Sequence, residues 1–269
     1  MEMSVIFSTY NSEEWLEKVI IGFSVQTFKN FEIIIADDGS RDTTKALIDR
    51  LKIEIDIPII HVWHADNGFQ KSQILNKAIV ASTTDYLVFT DGDCIPRNDF
   101  VELHKKFRKK GHFLSGGYFK LPMDISKLIS NEDIKTQKCF NLNWLKSKGL
   151  TSNFKNIKFN KTKWISSFLN TITPTKPSWN GHNASGWKSD LLAINGFDER
   201  MQYGGQDREL GERLVNFGIK PIQIRYSTLC LHLDHPRGYA TRESINKNKK
   251  IRQETKEQNK KWTDFGINK

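Results

Sequence analysis

Two acidic turns carry the first chemistry legible in this chain. Asp91-Gly92-Asp93 follows the apolar run 86–90, and Asp37-Asp38-Gly39-Ser40 follows the apolar run 31–36. Carboxylates at i and i+2, with a glycine that lets the backbone approach closely, can reach a hard divalent cation and the diphosphate bound to it. In the other turn an ionised Asp38 can only accept hydrogen bonds, which suits a base N–H or ribose hydroxyls. Either turn alone is equally an ordinary acidic turn or helix cap. Two of them about 50 residues apart, each ending its own strand, point to one shared crevice at the strand ends, where open α/β sheets bind ligands.

Three further groups could join that crevice. Ser8-Thr9-Tyr10-Asn11 closes the first strand with hydroxyls and a ring. No glycine-rich phosphate loop follows that strand, which counts against a dinucleotide enzyme and a sugar-phosphate nucleotidyltransferase. Leu231-His232-Leu233-Asp234-His235 offers imidazoles, which ligate manganese when combined with carboxylates. Strand alternation puts His232 and Asp234 on one face and His235 on the other. Asp207 opens a helical stretch, where the dipole and free amides favour an ionised carboxylate; plain helix capping gives the same pattern.

The elements that must position these groups read as a βαβ array. Strands are expected over residues 4–9, 31–36, 59–63 and 86–90. Between them lie a helix on which Trp15, Leu16, Val19, Ile20 and Phe23 recur, with Asn11 and Ser12 as caps, a helix from Asp42 through Leu51, and a helix over 68–81. A helix over 98–110 and an extended stretch over 113–121, with Gly116-Gly117 at its centre, come next. Over 124–177 regular periodicity fades and aromatic residues alternate with lysines; this is an amphipathic cover over the core with a solvated lysine face, or a membrane or acceptor surface. Order returns at Asn180, with a helix over 207–217, one strand over 222–233 and a charged helix over 241–262. The resulting division of one domain is a nucleotide-binding half (1–120), a basic and aromatic insertion (121–177), an acceptor-binding and catalytic half (178–240) and a terminal helix (241–269).

The ordered motifs resemble those of the family 2 inverting glycosyltransferases. Thr9-Tyr10-Asn11, Asp37-Asp38-Gly39-Ser40, Asn67-Gly68-Phe69-x-Lys71, Leu75-Asn76-Lys77-Ala78 and Asp91-Gly92-Asp93-Cys94-Ile95-Pro96 carry the resemblance in the N-terminal half. Asn180-Gly181-His182-Asn183-Ala184-Ser185, Asn195-Gly196-Phe197-Asp198-Glu199 and Tyr203-Gly204-Gly205-Gln206-Asp207 resemble acceptor-side motifs of chondroitin-polymerase-like and β-1,4-galactosyltransferase-like enzymes. Those relatives usually read Trp-Gly-Gly-Glu-Asp, so Tyr203 replaces Trp and Gln206 replaces Glu, which leaves acceptor identity open.

The resemblance implies a glycosyltransferase A fold, an α/β architecture with a Rossmann-like, mostly parallel central sheet flanked by helices. It implies metal-dependent, inverting transfer from a UDP-sugar to a hydroxyl of a glycan or lipid-linked saccharide, in bacterial surface polysaccharide synthesis. By the same resemblance Asp207 is the catalytic base, and Asp93 and His232 hold Mn2+ or Mg2+, with His235 the alternative ligand. Thr9, Asp38, Asn67, Lys71, Asp91 and Gly92 bind the nucleotide sugar, Lys71 as a diphosphate contact. Asn183, Tyr203, Gly205 and Gln206 meet the acceptor.

Composition sets the outer limits. A chain of 269 residues can bury a sizeable core, and its three scattered cysteines, Cys94, Cys139 and Cys230, fit free thiols in a reducing compartment. The N-terminus shows no basic leader or cleavage pattern, and no apolar run reaches the length of a membrane span, so a cytoplasmic protein is expected. A net charge of +10 favours an anionic partner. Without a nucleic-acid motif, that partner is expected to be a phosphorylated substrate or the anionic inner face of the cell membrane, reached peripherally, rather than nucleic acid. The competing readings are a non-catalytic nucleotide-sugar-binding module and a basic nucleic-acid-binding protein.

Overall fold

Runs that are largely apolar on both faces, rather than at alternate positions, fit strands of a sheet covered on both sides. In the computed structural model, which describes residues 1–236 and 240–268, the first, second and fourth strands are buried in this way, and the third is a half-buried edge strand. Residues 237–239 and 269, in the third and fourth regions of the sequence division, lie outside the described residues. Strands β1 (Met3–Thr9), β2 (Phe31–Asp37), β3 (Ile59–Trp63) and β4 (Tyr86–Asp91) alternate with helices α1 (Glu13–Ser24), α2 (Asp42–Glu54) and α3 (Lys71–Ala81). The strands pair in parallel, in the order β3-β2-β1-β4. Period-two alternation divides the core: Val5, Phe7, Ile33 and Ile35 pack with α1 and α2, while Ile6, Ile34 and Ala36 pack with α3.

After β4 come β5 (Cys94–Pro96), α4 (Phe100–Phe107), β6 (His112–Ser115) and β7 (Gly117–Lys120). The stretch expected as one extended segment over 113–121 is thus two strands in different sheets. β6 extends the large sheet and β7 joins a small one. The chain crosses between them at Gly116, where a Cβ would collide with the Asn183 amide. Short helices α5 (Met123–Leu128), α6 (Asn131–Lys135), α7 (Leu142–Ser147) and α8 (Lys163–Ile172) fill the region without clear periodicity. Phe140 and Phe159 of that region are buried, as a cover requires, but Phe154, Trp164 and Phe168 are exposed.

β8 (Ala184–Trp187), α9 (Lys188–Ala193), α10 (Gln206–Phe217), β9 (Lys220–Gln223), β10 (Leu229–His232) and α11 (Arg242–Glu257) complete the chain. The large sheet has seven strands in the order β3-β2-β1-β4-β8-β6-β9, with β8 antiparallel to both neighbours. The single strand expected over 222–233 is instead β9 and β10, separated by a turn in which Thr228 N donates to Ile224 O at 3.0 Å. β10 is central in the small sheet β5-β10-β7.

Two expected caps are also corrected. Asn11, at φ 44°, ties the end of β1 to the next acidic turn: its Oδ1 accepts from Arg41 N and its N donates to Ser40 Oγ. Asp42 is the first residue of α2, with Arg41 at the capping position.

Candidate active site

The ends of β1, β2 and β4 open into a cavity of about 730 Å³. Thr9, Asp38, Lys71, Asp91, Asp93 and Asp207 all line it, although they come from both halves of the chain. The Asp91-Gly92-Asp93 turn is held against β1 by Gly92, whose N donates to Ser8 O at 3.1 Å. A Cβ on Gly92 would lie 2.6 Å from that same oxygen, so the turn needs glycine for this approach.

Asp38 points into the cavity with its carboxylate braced from behind. Its Oδ1 meets His64 Nε2 at 2.8 Å and its Oδ2 accepts from Gln70 N at 3.0 Å. Burial raises the Asp38 carboxyl above its usual range, against the opposing pull of these two bonds. Thr9 Oγ1 is buried in the cavity wall and has no partner among the described residues. A buried hydroxyl left unsatisfied in this way is a vacant bonding position for a ligand.

Lys71 Nζ donates to Asp91 Oδ1 at 2.6 Å. Burial alone would depress the lysine, but Asp91, Asp207 and Asp93 around it outweigh that cost and hold it firmly protonated. Burial likewise pushes Asp91 up, and the Lys71 ammonium more than reverses it, keeping Asp91 ionised. A fixed cation at the carboxylate turn is suited to a diphosphate.

The small sheet supplies the imidazoles. β10 registers His232 directly opposite Cys94, which brings the ring to Asp93: His232 Nε2 lies 3.7 Å from Asp93 Oδ2. His235 Nε2 is nearer still, at 2.9 Å from the same oxygen. Strand alternation placed His235 on the opposite face. β10 ends at His232, so alternation does not extend that far, and the two rings stack at 5.9 Å with 12° between their planes. Asp234 pairs instead with Lys120 at 3.0 Å.

Asp93, Cys94 and His232 offer ligand atoms within 4.8 Å of one another. Burial raises the Cys94 thiol well above its ordinary value, which favours the protonated form over a thiolate. The usable donors are a carboxylate and imidazoles, a set that fits Mn2+ and, with water, Mg2+.

Asp207 sits in the first turn of α10, behind Gly205 in a left-handed conformation at φ 95°. The helix terminus was expected to favour its ionised form. Burial dominates instead and, despite Lys71, raises it to about 6. One carboxylate oxygen, Oδ1, is buried and without a hydrogen-bond partner among the described residues. Gly181 backs the group so closely that a Cβ there would lie 2.9 Å from Oδ2.

Asp207 also lines a second cavity, of about 780 Å³, on its other side. Lys176, Arg208, Arg225, Arg252 and Lys256 line that space; Arg252 and Lys256 are paired with Glu212. Gly205 borders it, while Tyr203 and Gln206 face the first cavity. Tyr203 stands edge-on to Phe69 at 6.2 Å, and Gln206 is buried with Oε1 accepting from Gly204 N.

Two expected site residues do not join these walls. Asn67 is exposed on the adjoining loop and lines neither cavity. Asn183, expected at the acceptor, is fully buried. Its Oδ1 meets His104 Nε2 at 2.9 Å and its Nδ2 donates to Gly117 O at 2.7 Å, so its amide ties to helix α4 and strand β7.

Other lining residues were not singled out in the sequence. Trp15 was read as core but also walls the first cavity, and Phe69 and Gly181 lie within quoted motifs without an assigned role. His182 packs on Tyr118 at 4.2 Å, and burial lowers it to about 4, so it is a neutral imidazole beside Asp91. Lys176 and Arg225 have no local signal, because only the fold brings their two loops together.

Known proteins resemble this chain in sequence and in fold. An uncharacterized glycosyltransferase of Bacillus subtilis, YfnE, is 25% identical over 269 residues, covering 88% of this chain. The chondroitin synthase of Escherichia coli is 24% identical over 236 residues, covering 80%. This chain spans 66% of the first relative's length and 32% of the second's.

Among solved structures, S. aureus TarS 1-349 in complex with UDP-GlcNAc matches with a TM-score of 0.60 at 15% identity, covering 94% of this chain and 65% of that one. The mannosyltransferase PcManGT of Pyrobaculum calidifontis, in complex with GDP-Man and Mn2+, matches at 0.58 and 18% identity, covering 88% and 58%. These likenesses establish the glycosyltransferase A fold. Residues 4–160, the stretch that builds β1 to β4 and both acidic turns, match the glycosyl transferase family 2 profile, and the chain belongs to that family.

Proposed function

We propose that this protein is a metal-dependent, inverting glycosyltransferase that moves a sugar from a UDP-sugar to an acceptor hydroxyl. The observation that carries this reading is the position of Asp207 on the wall shared by two cavities. On one side lie Thr9, Asp38, Lys71 and the acidic turn, groups suited to a nucleoside diphosphate. On the other is room for a saccharide.

The acceptor hydroxyl donates to the unpaired Oδ1 of Asp207, which takes its proton. The acceptor oxygen attacks the anomeric carbon from the face opposite the diphosphate, the bond from that carbon to the diphosphate oxygen breaks, and configuration inverts. A single base suffices for one displacement. Lys71 stays charged and pairs with the diphosphate, while Asp38 and Thr9 orient the nucleoside end. Asp93 and His232, with His235 adjacent, would hold the divalent ion, which when bound offsets negative charge on the departing diphosphate.

Tyr203, Gly205 and Gln206 border the path between the cavities and shape the acceptor's approach. The positive lining from Lys176, Arg208 and Arg225 favours an acceptor that bears phosphate or carboxylate. A lipid-linked saccharide of a surface polysaccharide, met at the anionic face of a membrane, has that character. The test is a panel of nucleotide sugars assayed for donor hydrolysis with and without Mn2+. A UDP-sugar should be hydrolysed only with the metal; full activity in a chelator would remove Asp93 and His232 from the reaction.

A further inference from the structure

Helix α8 covers only part of its apolar side: Ile165 and Leu169 are half-buried, and polar residues anchor the helix beside them. Ser166 is buried, and Asn170 one turn later is fastened to the body of the protein: Nδ2 donates to Ser227 Oγ at 2.9 Å and Oδ1 accepts from Tyr226 N at 2.8 Å. Trp164, Phe168 and Ile172 recur at every fourth position on the other side and are 72%, 58% and 56% exposed. A helix on a water-facing surface buries its apolar stripe and shows its polar one. Phe154 and Ile157, in the turn of 3₁₀ helix just before, are 83% and 44% exposed as well.

The charge distribution says what such a face meets. Between residues 134 and 189 there are ten lysines and no acidic residue. The rest of the chain holds 31 basic and 31 acidic residues, so this span carries the whole net charge of +10. Lys155, Lys161 and Lys163, beside the apolar stripe, are exposed. A second copy covering the face would set acid-free lysine segments against each other. An exposed apolar ridge also offers no pocket to anchor a partner's side chain.

We infer that this face docks on an anionic lipid bilayer. Trp164, Phe168 and Ile172 enter the boundary between headgroups and acyl chains, and the lysines meet lipid phosphates. The inference gives the membrane-face part of the proposed function a specific surface. It does not depend on sugar transfer, because vesicle binding needs neither donor nor metal.

The test is sedimentation of the full chain with phosphatidylcholine vesicles, with and without about one third phosphatidylglycerol. The protein should pellet with the anionic vesicles at low salt and bind neutral ones at least about tenfold more weakly, with high salt erasing the difference. Trp164→Ser with Phe168→Ser should weaken partitioning by about tenfold or more while thermal unfolding stays unchanged, since both side chains are exposed. Lys155, Lys161 and Lys163 replaced by Gln should remove the preference for anionic lipid. Absence of sedimentation, or equal sedimentation by wild type and the Trp164/Phe168 variant, would overturn the inference. So would a wild-type dimer that this variant dissociates, since a second copy would then cover the face.

Discussion

Asp207 is poised by burial rather than by the helix terminus it occupies, and that has consequences in opposite directions for activity and stability. In its proposed role as base, Asp207, raised to about 6, is ionised at neutral pH yet basic enough to accept a hydroxyl proton. The pH profile of kcat/KM should therefore fall on the acid side with an apparent value near 6, instead of near the ordinary 3.8. Stability follows the reverse course. The folded value is raised, so protonation of Asp207 favours the folded state below about pH 4, and that contribution is lost as pH rises through 6. Asp207→Asn should match wild type in Tm near pH 4 and exceed it by a few degrees at pH 7. A thermal-shift series across pH checks this; a variant less stable at pH 7 would mean that the ionised carboxylate is favourably paired.

Elements decide which glycines matter. Gly92→Ala drives a methyl into the backbone oxygen of Ser8, which cannot give way as the end of a flexible side chain would, and should cost about 1–3 kcal/mol along with most activity. Gly68→Ala, at φ 76° with nothing within 4 Å, meets only conformational strain of about 1 kcal/mol. Urea denaturation of the two variants distinguishes them. The second cavity makes a separate prediction. Replacing Lys176 and Arg225 by Glu should raise KM for phosphate- or carboxylate-bearing acceptors about tenfold or more, leaving metal-dependent donor hydrolysis unchanged. An equal effect on neutral acceptors would show that these residues do not read charge.

Much at this scale was legible because it is local. The buried runs of β1 to β4 and the acidic turns at their ends follow from the sequence within each segment. The glycine pair did not disclose that β6 and β7 belong to different sheets, and nothing near Asn183 announced that His104 and Gly117 would claim its amide. His235 was misplaced because β10 stops one turn short of it.

Across the whole molecule, the site exists only where distant segments converge. Asp93 follows β4 in the family-matched half, and His232 is delivered by β10, a strand from late in the chain that inserts between β5 and β7. A bound ion would tie the two together. Mn2+ should therefore raise the wild-type Tm in proportion to the logarithm of its concentration, and Asp93→Ala should abolish the rise. The composition shows the net charge of +10, but not the exposed apolar stripe of α8, which depends on Ser166 and Asn170 docking inward. Among the described residues no helix is long and apolar enough to cross a membrane.

The role proposed for Asp207 is that of the base in sugar transfer between its two cavities. It is tested most directly by comparing wild type with Asp207→Asn for turnover and for donor affinity, using the UDP-sugar hydrolysed by the wild type and Mn2+. Turnover should fall by about 10²–10⁴-fold while the donor Kd changes no more than a few-fold. A variant that keeps substantial transfer, with donor bound as tightly as before, would show that Asp207 is not the base.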